Sequence, residues 1–151
     1  TRRIVGDYVL TVEDYLAHRT FADEICRNAY GIDVHLSRRE NEDLCKKTLA
    51  ELKEWNRQVA RLLPPGESVG GPYRCLTPKG LKNMLVAGRC ISTDRQVYGS
   101  IRIMACCLNT GEAAGTAAAM AASTSADVHM VDVGELRRKL KAHGAYLPDA
   151  E

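Results

Sequence analysis

One histidine, three arginines and two runs of small residues have the types and spacing from which this chain could do chemistry. His35 follows Asp33 by two residues, so on an extended backbone both side chains point to the same face. A neighbouring carboxylate raises an imidazole's pKa and orients its ring, which suits proton transfer near neutral pH. A surface histidine beside an aspartate is the plainer reading of the same pair. Arg74 lies between Pro72 and Pro78, which keep the segment extended, and its forked guanidinium suits a carboxylate or a carbonyl edge. Arg89 directly follows Gly88, and Arg102 precedes a glycine- and alanine-rich stretch. A cation there would stabilise negative charge developing on a bound ligand. An exposed or structurally paired arginine is the alternative in each case.

The small-residue runs are what would position these groups. Met84, Leu85, Val86 and Ala87 form an apolar run ending at Gly88, which predicts a parallel strand buried on both faces, with a ligand crevice at its carboxyl end bordered by Gly88 and Arg89. Asn109 or Thr110 then predicts a helix cap, with Gly111, Glu112, Ala113, Ala114, Gly115 and Thr116 in the first turns. Gly111 would let a ligand approach without meeting a side chain, and free N–H groups at a helix start favour electron-rich atoms. A packing helix behind a core strand fits the same pattern. Glu112 suits the helix dipole but repels a phosphate, so this end is expected to face a ring.

Elsewhere, residues 3–10 alternate like a strand, and Thr11 with Asp14 opens a helix whose apolar spacing runs through Ile25 and Cys26 to about Asn28. Residues 30–36 read as a second strand. Residues 37–63 read as an amphipathic helix that Pro64 and Pro65 stop, with Gly66, Gly70 and Gly71 as a linker. Asp132 and Glu135 make a capping box for a last helix ending at Gly144. The expected division is residues 1–36, 37–71, 72–125 and 126–151.

Composition narrows the classes. A net charge of +2 with interspersed signs gives no field for nucleic acid, and one Trp with one Phe offers few stacking platforms. No apolar run reaches the roughly 18 residues of a membrane span, and no signal peptide is evident, so a cytoplasmic location is expected. The six cysteines include no CxxC and the four histidines are scattered, so no metal site is expected and the thiols read as reduced, buried hydrophobes. Redox chemistry at Cys90, Cys106 or Cys107 is the minor alternative.

In order, the chain reads PYRCLTPKG, NMLVAGRCIS, GSIRIM and GEAAGTAAA. These blocks resemble, in register, the carboxyl-terminal portion of the FAD-dependent oxidoreductase family with the signature PYR…LPKG…NLLVAGRCIS…GSIRVM…GQAAGTAAA. The likeness extends to residues 2–10, 30–35 and 131–147. It implies an α/β architecture, α+β as an isolated piece: the carboxyl-terminal part of a Rossmann-like FAD-binding domain plus part of a substrate-binding domain. It implies FAD as cofactor, a small-molecule substrate, flavin contacts at residues 88–92, 102 and 111–116, and catalytic roles for His35, Arg74 and Arg102. The family has Gln where Glu112 stands and histidines where Arg95 and Tyr98 stand, which puts any proton shuttle through those positions in doubt.

No GxGxxG occurs in the 151 residues, so the pyrophosphate grip of such enzymes is missing. The chain is therefore expected to be a fragment or one subunit, inactive alone, that works with an amino-terminal FAD-binding portion or a second subunit, with an oligomer as a further option. A non-catalytic interaction subunit retaining the scaffold is the competing expectation, and a small-molecule binding protein without a dinucleotide is a third.

Overall fold

The computed structural model describes residues 2–33, 42, 43, 46, 48, 50, 51 and 63–148. Thr11 opens helix α1, Val12–Leu16, with a complete capping box: its hydroxyl accepts the Asp14 N–H and the Asp14 carboxylate accepts the Thr11 N–H. The helix ends there rather than at Asn28, since His18 takes a left-handed φ of 49° and turns the chain. Ile25 and Cys26, expected on the helix, lie instead in strand β1, Glu24–Asn28.

Strand β1 exists because of a distant glycine pair. It runs antiparallel to strand β2, Val69–Pro72, with Cys26 opposite Gly71 and Arg27 opposite Gly70. Gly70 and Gly71, expected in a linker, are therefore strand residues. A Cβ on Gly70 would lie 2.0 Å from a Glu24 carboxylate oxygen, and one on Gly71 would lie 2.6 Å from the Cys26 sulfur. The missing side chains leave room for the Glu24 carboxylate, which accepts the Phe21 N–H at 2.9 Å and pairs with Arg27 at 2.8 Å, satisfying a charge that is 1% exposed.

Residues 2–10 run extended but form only isolated bridges, Gly6 to Pro78 and Leu10 to Thr93. Residues 30–33 make no ladder, and the rest of that expected strand lies outside the described residues, as does most of the amphipathic segment 37–63. Residues 84–87 are also no strand. Met84 is exposed, Leu85 to Ala87 are half-buried, and the Val86 N–H bonds only to the Leu76 carbonyl. Among the described residues the one sheet is the antiparallel pair β1–β2, so the fold is α+β.

After the single helical turn Gly88–Cys90 come helix α2, Arg95–Ile101, capped by Asp94, and helix α3, Met104–Thr124. On α3 the residues Cys106, Thr110, Ala113, Ala117 and Ala121 are buried at spacings of three and four, and this stripe packs on β1 and on the last helix. The stripe is built of small residues, so the helix can lie close to the strand. Helix α4, Val133–Ala142, is capped by Asp132 and closed by Gly144 at φ 99°, as its sequence predicts. It buries Leu136 and Leu140, each stabilising the fold by about 1.5–3 kcal/mol relative to exposure.

Candidate functional site

The start of α3 is six residues earlier than the sequence suggests, and this moves the site. Its cap position is Ile103, whose side chain accepts no hydrogen bond, so the first N–H groups of a 21-residue helix have no side-chain acceptor there. Asn109 and Thr110 lie inside the helix. The Thr110 hydroxyl sits 2.9 Å from the Cys106 carbonyl and accepts the Gly88 N–H at 3.0 Å. Thr110 thus anchors the glycine turn to the helix instead of capping it, a role that no local signal announces.

Gly88 takes φ +69°, a region a side chain resists, and a Cβ added there would lie 3.7 Å from the Cys107 sulfur. The turn projects Arg89, whose Nε donates to the Arg102 carbonyl at 3.2 Å in the residue before the helix cap. The Arg102 guanidinium is itself placed by Asp33, donating to its carboxylate at 3.0 Å and to its backbone carbonyl at 3.1 Å. Arg89, Arg102, the Gly88 turn and the open end of α3 therefore converge. Asp33 serves as the anchor of Arg102; His35, its expected acid–base partner, lies outside the described residues.

The other expected contacts do not join this group. Gly111 and Glu112 are well inside α3, so the reading of Gly111 to Thr116 as a first turn facing a ligand is corrected. Ala113 and Ala114 face the core, Thr116 is half-buried, and Gly111 and Gly115 are on the open side with no atom near an added Cβ. Glu112 pairs with His143 at 3.2 Å beside a cavity of about 310 Å³ that Arg27, Asn109 and Tyr146 also line. Cys90 is exposed, Ile91 is buried, and Ser92 is fully buried under Gly6 with its hydroxyl unpaired. Arg74 is held by Asp23 through two contacts, at 2.9 and 3.2 Å, and lies 5.1 Å over the Tyr8 ring, the structural pairing that was the alternative for it.

Cys26, Cys75, Cys90, Cys106 and Cys107 are free thiols, and burial pushes the Cys75 thiol up to about 12, which makes it inert. No helix among the described residues is long and apolar enough to cross a membrane.

The geometry suits the electron-rich edge of a planar heterocycle. Backbone N–H groups at a helix start, the positive end of a long helix and two guanidiniums supply donors and charge, and a glycine turn permits close approach. These residues fit the carbonyl-bearing edge of a flavin.

A family model described as FAD dependent oxidoreductase matches residues 1–140. The comparisons with curated proteins and with solved structures give no match. With the match spanning nearly the whole chain and the site suited to the ring, this chain belongs to the FAD-dependent oxidoreductase family, and FAD is the cofactor.

Proposed function

We propose that this chain supplies the ring-binding side of an FAD site in which a small-molecule substrate is oxidised or reduced by hydride transfer. The observation that carries the reading is the convergence of Arg89 and Arg102 on the uncapped start of α3 beside the Gly88 turn. When bound, FAD supplies the two-electron chemistry. The chain's own part is to hold the carbonyl edge through α3 N–H groups and to stabilise charge gained there with Arg102. Arg89 braces the Arg102 backbone, and Asp33 fixes the guanidinium in position.

The ADP moiety is gripped elsewhere, by an amino-terminal FAD-binding portion or a second subunit, since no GxGxxG occurs in these 151 residues. His35 is proposed as the proton-transfer residue on the grounds of its YGIDVH context and its nearness in sequence to Asp33. Arg74, half exposed while Asp23 holds its Nε and Nη2, is proposed to reach substrate with the rest of its guanidinium. The free thiols favour a reducing, cytoplasmic setting.

The test is flavin absorbance near about 450 nm, the band of the oxidised ring. The chain alone is expected to be colourless, and its assembly with the complementary FAD-binding portion yellow. Arg102→Ala in that assembly is expected to cost on the order of 2–4 kcal/mol of barrier, by analogy with a lost oxyanion donor. A complete assembly that stays colourless with added FAD overturns the reading.

A further inference from the structure

His129 sits in the short helical turn Val128–Met130 between α3 and α4, where both of its ring nitrogens face acceptors. Nδ1 lies 2.6 Å from the Asp7 carboxylate and Nε2 lies 3.0 Å from the Leu81 carbonyl. A carbonyl cannot donate and an ionised carboxylate cannot either, so both contacts are hydrogen bonds only when the ring carries two protons. A neutral imidazole has one N–H and serves one of them.

The Asp7 carboxylate also accepts the Thr77 hydroxyl at 2.7 Å, and the Asp7 N–H bonds to the Thr77 carbonyl. The Val128 N–H donates to the Lys82 carbonyl at 3.0 Å, and the Tyr73 hydroxyl donates to the Val128 carbonyl at 2.8 Å. Leu81 and Lys82 lead directly into residues 83–88, which are not a strand and are held further along by the Val86 N–H on the Leu76 carbonyl and the Gly88 N–H on the Thr110 hydroxyl. Asp127, 3.9 Å from Nε2, is a second carboxylate facing the ring, while the charge of Lys79 helps keep Asp7 ionised.

We propose that Asp7, His129 and the Leu81 carbonyl form a proton-operated clasp. With two ring protons it ties the Leu81 carbonyl, at the start of the segment leading to the Gly88 turn, to Asp7 and the α3–α4 connection; with one it releases that carbonyl and loosens the segment. The proton lost on opening leaves from Nε2 to solvent, because the ionised Asp7 is the stronger acceptor and keeps the remaining N–H. Partial burial of the ring works against its charge, but the Leu81 carbonyl and Asp7 outweigh it and raise the pKa above the usual histidine value. The clasp is therefore closed below the usual histidine range and opens as pH rises through the raised value.

The test is NMR on the whole chain without flavin, so its failure leaves the flavin reading standing. His129 ring shifts and amide exchange are followed from about pH 5 to about pH 9, which spans the histidine titration. After correction for intrinsic exchange, protection of the Val86 and Val128 amides is expected to fall about tenfold across the His129 midpoint, the scale of one lost charge-assisted bond. Ala117 in the core should not change. His129→Gln should abolish the step, and Asp7→Asn, which keeps the shape and removes the charge, should lower the His129 midpoint. A step of the same size in His129→Gln, or a midpoint that Asp7→Asn does not lower, overturns the proposal.

Discussion

Replacing Gly111 and Gly115 by alanine measures whether the outer side of α3 is open. Both residues are exposed in the interior of a 21-residue helix, and an added Cβ at either meets no atom within 4 Å. Glycine in a helix interior costs about 1 kcal/mol relative to alanine, because its backbone loses more freedom on folding. The two sites lie one turn apart and two methyl groups do not clash there, so the gains add to about 2 kcal/mol. For a chain of this size each kcal/mol moves the melting temperature by roughly 2–4 °C, giving an expected rise of roughly 4–8 °C for the double variant. Thermal unfolding followed by far-ultraviolet circular dichroism reads this on the chain alone. An unchanged or lowered midpoint refutes the argument, because it means that the glycines meet something or that this part of α3 is not helical. The same variants in the flavin-binding assembly test the sequence reading of Gly111: a chain that is more stable alone but assembles less well shows that the open side is where a ligand or the complementary portion lies.

The opposite sign is expected at Gly70, where alanine would push against the buried Glu24 carboxylate and break its contacts to Arg27 and Phe21. Leaving such a charge unpaired costs about 3–5 kcal/mol, read from the shift in a urea midpoint. Gly88→Ala has room beside Cys107 but not the backbone freedom, so it should cost about 1–2 kcal/mol and Gly88→Asn less, since asparagine tolerates left-handed φ. Acid should weaken the amino-terminal part of the fold through Asp14. Burial would raise its carboxyl, but Arg19, Thr11 and Tyr8 prevail and hold it below the usual carboxylate value. Its contribution is present above about pH 4, the unfolded value, and is lost as pH falls through the lower folded one. Melting temperatures below about pH 4 should fall more steeply for the natural chain than for Asp14→Asn.

Signals carried by neighbouring residues were legible. Thr11 with Asp14 forms a full capping box and Asp132 caps the Glu135 N–H, while the Glu135 side chain turns to Arg138 and Lys139; each cap reaches only three residues along the chain, and Gly144 closes α4 for the same local reason. The family was legible too, as the match over residues 1–140 bears out. What failed depended on partners far along the chain. Ile25 and Cys26 have helical spacing but form a strand, because Gly70 and Gly71 receive the side chains beside them. Met84 to Ala87 have the composition of a buried strand but find no ladder partner among the described residues.

The candidate site divides in the same way. Sequence alone determined that Gly88 turns the chain and that a small-residue helix follows; these are properties of residue type and order. Only the tertiary structure decided where that helix begins and what Thr110 and Asp33 do. Met104, Ala105 and Leu108 are good helix formers and Ile103 is no capping residue, so no local preference marks Ile103 as the start. The Thr110 hydroxyl could satisfy its own helix or cap one, and the Gly88 N–H brought beside it by folding made the choice. Asp33 likewise found Arg102, and Asp7 found His129, across separations that sequence spacing does not encode, because ion pairs depend on distance in space and the packed core sets that distance.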